Sequence, residues 1–403
     1  MPFVRSRQRL RPAGVGVSLV VVGIDGRPLP PAATEALATA EVVAGARRYL
    51  DLAPPGVERV ELGAVAPALD RLAGRRAVVL ASGDPGFFGI VRLLRAHGLD
   101  PEVHPATSSV ARAFARTGRP WDDVAVVSAH GRALGPAVNV CRARPATAVL
   151  TAPGAGPAEI GAALAGWSRT LVVAEDLDGP DERLTTVTAA EAATRTWRGP
   201  NVVLCLRDPD AVPDAGWLAG GAPPAGWALP DDAFEHRAGM VTKTEVRALA
   251  LARLAPRRGT LVWDVGAGSG SVGVECARLG SAVLAVERRA DDAARIAANA
   301  ATHGVDVRVV EGEAPAALAG LPGPDAVFVG GGGPDVVAAA AASGAARVVV
   351  ALAALDRLVP TRAALHEFRV DGVQLAASRF AELPDGAVRL AATNPILLLW
   401  GTR

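Results

Sequence analysis

Leu261-Val-Trp-Asp-Val-Gly-Ala-Gly-Ser-Gly-Ser271 decides how the second half of this chain folds. An apolar run ends in Asp264, and Gly266, Gly268 and Gly270 follow at spacing two. Ser-Val-Gly-Val-Glu-Cys-Ala comes next and reads as the first turns of a helix. Glycine is needed where backbone turns tightly and lies against a ligand with no Cβ in the way. A second apolar run, Ala282-Val-Leu-Ala-Val-Glu287, ends in an acid placed to accept hydrogen bonds from a ribose diol. A dinucleotide loop would read Gly-x-Gly-x-x-Gly, whereas the last glycine here comes one residue early.

Asp-x-Gly-x-Gly-x-Gly followed by Glu resembles motif I of the Rossmann-like methyltransferases that bind S-adenosylmethionine. That resemblance implies cofactor contacts from Asp264, Gly266, Ala267, Gly268, Ser269, Gly270 and Glu287. Working outward, strand candidates fall near residues 260, 281, 306, 324, 345, 370 and 395, with helical spacers between the first five. The pattern predicts a mostly parallel seven-strand sheet, its last strands antiparallel across Pro384-Asp-Gly386. Glu311-Gly-Glu-Ala-Pro315 follows the third strand, where such folds bind adenine, and brings in Glu313 and Ala314. Asp325-Ala-Val-Phe-Val-Gly-Gly-Gly-Gly-Pro334 follows the fourth; the Asn/Asp-Pro-Pro-Tyr/Phe of base-amino methyltransferases is missing there.

Thr242-Lys-x-Glu-Val-Arg247, Gly-Glu-Ala-Pro315, Phe-Val-Gly-Gly-Gly and Asn394-Pro-Ile-Leu-Leu-Leu-Trp-Gly401, in that order, resemble the decarboxylating precorrin methyltransferases that act on C-15. Coverage runs from about Phe234 to the end, and the resemblance puts Thr242 beside the cofactor. One segment departs: Val350-Ala-Leu-Ala-Ala-Leu-Asp356 has Ala351 and Ala354 where the family pattern has Asn and Thr. Lys243 is the only Lys among 42 basic residues. Under a coding bias that turns Lys to Arg, its retention marks either a wanted titratable ammonium or chance survival. Lys243 and Glu245 are the candidates for moving protons, and Asn394, expected on the final strand, for orienting substrate.

The first half reads differently. Val17 to Gly23 is a buried-strand pattern, Pro31 to Ala40 has helical spacing, and an apolar patch spans Glu41 to Ala44. Arg75 to Ala81 is a strand running into Ser82-Gly-Asp-Pro-Gly-Phe-Phe-Gly89, which is turn chemistry with room for backbone approach. Pro105-Ala-Thr-Ser-Ser109 supplies an N-cap, and Arg112 and Arg116 share a face of the helix it opens. Trp121-Asp-Asp123, Ser128-Ala-His-Gly-Arg132, Val149-Leu-Thr-Ala-Pro153 and Val173 to Arg183 complete a set resembling the cobalamin-pathway branch of the tetrapyrrole methyltransferases. The resemblance covers Val17 to Arg207. It implies two α/β subdomains with a cofactor cleft between them, contacted by Gly83, Asp84, Pro85, Thr107, Ser108 and Thr151. It also departs once: Asp25, in Gly23-Ile-Asp-Gly26, stands where the family has Gly. For an anionic macrocycle, guanidinium is the natural partner, so Arg112 and Arg132 are candidate carboxylate ligands. His130 is either a structural ring bonded to backbone or a second substrate contact.

Composition bounds the rest. A chain of 403 residues, half of them hydrophobic, is long enough for two domains with their own cores. Proline and glycine crowd Asp208 to Asp232, which predicts domains 1–208 and 234–403 joined by a linker at 209–233, with Trp217 and Trp227 docking it. Net charge of +1 offers no bulk field for nucleic acid. No apolar run is long enough for a membrane span, and Arg5, Arg7, Arg9 and Arg11 precede no signal-like segment, so a frayed terminus and a cytoplasmic enzyme are expected. Three scattered Cys and six scattered His predict neither disulfides nor a metal site.

Together the halves resemble the fused decarboxylating C-5,15 methyltransferases of corrin synthesis. The resemblance implies two S-adenosylmethionine sites per chain, precorrin-6B as an anionic substrate, two methyl transfers, loss of an acetate carboxyl, and a homo-oligomer. An RNA methyltransferase and a cofactor sensor without turnover are the alternatives.

Overall fold

A computed structural model describes residues 18–62, 65–213, 218–222 and 224–403. Val17, Trp217, Pro223 and the four early arginines lie outside the described residues. The chain packs as two compact units. One runs to Arg119 and takes in Asp176–Arg183; the other holds Pro120–Glu175 and Leu184–Arg403.

In the first unit, β1 (Leu19–Ile24), β2 (Val42–Gly45), β3 (Glu58–Glu61), β4 (Ala77–Ser82) and β5 (Glu102–His104) form a sheet in the order β3-β2-β4-β1-β5. Every pairing in it is parallel. Val20 and Val22 pack into one core with Leu37 and Leu80, while Val21 packs into another with Leu72 and Leu94. This is the alternation of a strand covered on both faces, which explains the unbroken apolar run. The expected strand and helix here are found at Leu19–Ile24 and Pro31–Ala38, and the Glu41 to Ala44 patch is β2.

The second unit begins with a mixed sheet. Its strands are β6 (Ala125–Ser128), β7 (Ala146–Leu150), β8 (Thr170–Glu175), β9 (Arg183–Thr188) and β10 (Asn201–Leu206), ordered β6-β7-β10-β8-β9. β10 runs antiparallel to both neighbours.

The same unit carries a sheet of seven strands: β11 (Leu261–Val265), β12 (Ala282–Glu287), β13 (Arg308–Glu311), β14 (Ala326–Val329), β15 (Arg347–Leu352), β16 (Arg369–Leu375) and, after a hairpin of β17 (Ser378–Glu382) and β18 (Val388–Ala392), β19 (Ile396–Thr402). The order is β13-β12-β11-β14-β15-β19-β16, parallel up to β15 and antiparallel through β19 and β16. Leu261, Trp263 and Val265 face the core built with helix Pro334–Ala342, and Val262 faces the one built with helices Thr244–Leu254 and Ser271–Arg278. The seven expected strands are therefore present. One detail differs: Pro384-Asp-Gly386 turns β17 into β18, a separate two-stranded sheet, and does not join β16 to β19.

The two sheets of this unit share buried contacts. Trp167 lies in the core with Leu261 and Trp263, its ring flanked by Arg142 at 4.3 Å and Arg308 at 4.8 Å. Arg169 donates to Asp306 at 2.6 Å, and Asn139 donates to the Gly259 carbonyl at 3.1 Å. Trp227 is 55% exposed, so the expected docking of the join does not run through its side chain.

Candidate functional site

The seven-strand sheet changes direction between β11 and β14, the switch point where open α/β sheets bind ligands. Gly266, Gly268 and Gly270 all have left-handed backbone, with φ of 65°, 57° and 72°. Each glycine meets a different demand. A Cβ on Gly266 would come within 2.9 Å of Gly331, and one on Gly270 within 2.8 Å of Ile296, whereas one on Gly268 would meet nothing within 4 Å. Gly266 and Gly270 are thus required by packing, and Gly268 leaves open space for a ligand.

Asp264 is fully buried; its Oδ2 accepts the Gly273 N–H at 2.8 Å and its Oδ1 has no partner. Burial pushes this carboxyl up to about 7, the Gly273 bond opposing and the charge of Glu287 reinforcing. Glu287 accepts N–H bonds from Gly268 at 2.9 Å and Arg289 at 3.1 Å, which fixes its carboxylate at the end of β12 and leaves lone pairs for a diol. An orphaned acceptor, an open glycine and an anchored acid fit an amino-acid-bearing nucleoside. Gly312 follows β13 and donates to the Glu287 carbonyl at 2.9 Å. Beyond it, Glu313 is exposed and 3.4 Å from Arg288, with Ala314 partly buried against the core. Ala267 donates to the Val286 carbonyl, and Ser269 is buried, its carbonyl held by Asn299.

The Thr242 to Arg247 motif opens a helix beside an ion network. Asp231 accepts the Thr244 N–H and hydroxyl, each at 2.9 Å, and pairs with Arg379 at 2.9 Å and Lys243 at 3.5 Å. Burial alone would raise Asp231, but the Thr244 hydroxyl and the Arg379 and Lys243 cations outweigh it and hold the carboxyl low. Arg379 also takes both oxygens of Glu245, and that hydrogen bond, first among the causes, keeps Glu245 below the usual carboxylate range. A carboxylate so held is a poor proton carrier near neutrality, so Glu245 serves geometry and the expected proton role does not fit it. Thr242 is half-buried, and its carbonyl accepts from Arg247. Asn394 is exposed on the loop before β19, not on the strand as expected, because Pro395 interrupts the ladder there.

Sequence reasoning missed Asp231, Arg379 and Glu275. Glu275 is fully buried, pairs with Arg247 at 3.1 Å and accepts the Leu229 and Ala228 N–H groups at 2.7 and 3.0 Å. No local spacing could reveal Arg379 meeting Asp231, since 148 residues separate them.

In the first unit, loops after β1, β4 and β5 converge. Gly83 is left-handed at φ 60° and donates to the Ile24 carbonyl at 2.8 Å; Asp84 Oδ1 accepts the Gly86 N–H, and a Cβ on Gly89 would collide with the Pro85 backbone. A Cβ on Gly23 would lie 2.4 Å from the Gly83 carbonyl, so the loops touch through that glycine. Ser108 caps helix Ser109–Thr117, accepting from Ala111 at 3.2 Å. Gly26 takes the left-handed position at φ 77°, relieving Asp25, whose carboxylate is 3.4 Å from the Thr107 N–H. The departure at Asp25 is therefore a tie between loops.

Arg112 departs from expectation. It is buried, donates to the Asp25 carbonyl at 2.5 Å and pairs with Asp178, so its guanidinium ties two loops of the fold together. Arg116 shares that face as expected and binds Asp178 and Glu182 at 2.7 and 2.6 Å. Arg48 and Tyr49, unforeseen, both reach the Ser82 hydroxyl, at 2.7 and 2.8 Å. In the second unit, Thr151 bonds Asn201 at 2.6 Å; His130 and Arg132 are exposed on the turn after β6, where Ser128 Oγ accepts the His130 N–H.

Comparison with known proteins finds two families along the chain. Residues 16–193 match the family described as Tetrapyrrole (Corrin/Porphyrin) Methylases, and residues 232–381 match the Precorrin methyltransferase domain. A precorrin-6Y C(5,15)-methyltransferase (decarboxylating) of Sinorhizobium is 40% identical over 79% of this chain and 80% of its own length. A cobalt-precorrin-7 C(5)-methyltransferase of Salmonella typhimurium is 36% identical over 42% of this chain and 88% of its own. A probable cobalt-precorrin-6B C(15)-methyltransferase (decarboxylating) of Pyrobaculum calidifontis is 46% identical over 26% of this chain and 56% of its own. Two α/β scaffolds of unlike topology, each with a glycine loop at its strand ends, and a relative matched across most of both lengths lead to one conclusion: the chain belongs to the precorrin-6Y C(5,15)-methyltransferase (decarboxylating) family.

Proposed function

We propose that this chain methylates an anionic tetrapyrrole, precorrin-6B, at C-5 and C-15 and removes the carboxyl of its C-12 acetate as CO2, giving precorrin-8. The observation that carries this is the presence in one chain of two loop clusters on different sheets, one around Gly23, Gly83 and Ser108, the other around Gly266, Gly268 and Glu287. Separate relatives bearing the C(5) and C(15) names support assigning one activity to each, C-5 to domain 1–208 and C-15 with decarboxylation to domain 234–403.

Methyltransferases of this family use S-adenosylmethionine, which supplies an electrophilic methyl group. Two sites per chain is our reading. In the second, Glu287 would hold the ribose, the Gly266–Gly270 loop would admit the backbone-close part of the cofactor, and Asp264 Oδ1 would gain a donor. The meso carbons of a reduced macrocycle are enamine-like, so the protein's work is alignment, which can supply several kcal/mol. The conjugated ring takes up the electrons of decarboxylation. Lys243, held near Asp231 and the Gly239 carbonyl, is the remaining group for proton movement. Replacing Lys243 with Arg should slow CO2 release at least tenfold at pH 7, since Arg does not give up its proton; unchanged release would exclude the role.

Among the described residues no helix is long and apolar enough to cross a membrane. Free, buried Cys141, Cys205 and Cys276 support a reducing cytoplasm. Self-association is supported by the β17–β18 hairpin, where Phe380, Val388 and Leu390 are exposed. Mass spectrometry of precorrin-6B incubated with enzyme and cofactor tests the function. Gain of two methyl groups with loss of CO2 is expected; a product without either change refutes it.

A further inference from the structure

At the carboxyl ends of β14 and β15 lies a cavity of 280 Å³, lined by Gly330 to Gly333, Ala351 to Ala354, Arg357 and Thr361 among others. It backs directly onto the cofactor loop, because the Gly331 backbone lies 2.9 Å from where a Cβ of Gly266 would stand. Its volume is just under the range of roughly 300–1,000 Å³ that encloses a whole small ligand. The space therefore suits one edge of a larger molecule.

The lining is chemically one-sided. Glycine and alanine share the walls with Val329, Val337, Val350 and Leu352, no carboxylate contributes, and Arg357 is the only charged residue of the lining. Arg357 donates through Nη1 to the Gly332 carbonyl at 2.8 Å, which anchors the guanidinium over the glycine loop while its remaining N–H groups stay available for a planar anion. A small, mostly apolar cavity and one anchored guanidinium match a flat, apolar ring edge that carries a carboxylate.

Resting on the function proposed above, we infer that Arg357 is a specificity residue of the C-15 site, binding a peripheral carboxylate that the macrocycle retains. The retained carboxylate is the consistent choice. Pairing the departing carboxylate with a guanidinium would stabilise the charged ground state and slow its loss. Binding a group unchanged by the reaction instead contributes equally before and during chemistry, so it governs KM more than kcat.

The test uses the full chain as wild type, Arg357→Gln and Arg357→Lys. CO2 release is followed against tetrapyrrole concentration at low and high salt, C-5 methylation by mass, and affinity for S-adenosylhomocysteine by titration calorimetry. Arg357→Gln should raise KM for CO2 release about tenfold, the loss of one charge-assisted contact, with a smaller change in kcat. Arg357→Lys should recover part of that, and the salt dependence of KM should flatten in the Gln variant. KM within twofold of wild type overturns the inference, and so does a parallel fall in cofactor affinity, which would mark Arg357 as a prop for the glycine loop. Wild-type enzyme that methylates C-5 but releases no CO2 would instead overturn the function on which the inference rests.

Discussion

Asp264 shows how one buried group links the cofactor site to pH. Burial raises its carboxyl from 3.8 to about 7, so between those values the folded chain holds a proton that the unfolded chain has released. The stability contributed by this group is therefore fully present below 3.8 and is lost as pH rises through about 7. Asp264→Asn should flatten the fall in thermal stability between pH 5 and pH 8; a fall parallel to wild type in both proteins would contradict the assignment. Glycine substitutions separate packing from ligand space at the same scale. Gly268→Ala meets no neighbour, so it should cost only about 1–2 kcal/mol for the left-handed backbone while weakening S-adenosylhomocysteine at least tenfold by calorimetry. The tight turn at these glycines and the acid at the end of β12 were legible in the sequence. Arg112 was not, because its partners Asp25 and Asp178 come from loops that only the fold brings together.

Elements were legible where apolar runs are covered on both faces, as in β1, β11 and β12, and less so at the chain's end. β16 to β19 carry mixed exposure, so turn chemistry at Pro384-Asp-Gly386 marked a hairpin correctly but not its partners. The helix Thr244–Leu254 illustrates the limit. Its spacing identified a helix, yet what holds it is a fully buried Arg247–Glu275 pair with Phe234 4.7 Å from the guanidinium. Replacing Arg247 with Met leaves the buried Glu275 with only Arg278, 3.4 Å away, as its cation, and should cost about 3 kcal/mol in urea unfolding. A loss below about 1 kcal/mol would show that Arg278 and the Ala228 and Leu229 N–H groups suffice.

At the scale of the molecule, the account rests on two unlike sheets each presenting a glycine-lined loop cluster. The compact units do not follow the Pro/Gly-rich segment, since Pro120–Glu175 packs with the seven-strand sheet through Trp167, Arg169 and Asn139. Composition marks where chain is loose, whereas burial of Trp167 between two guanidinium groups brings together Arg142 and Arg308, 166 residues apart and in neither periodic pattern. The most direct measurement is titration calorimetry of the full chain with S-adenosylhomocysteine, beside the Gly266→Ala variant. Two equivalents bound by wild type and one by the variant is the expected result, because a Cβ at Gly266 collides with Gly331 and leaves the other scaffold untouched. A single equivalent in wild type would contradict the two-site account.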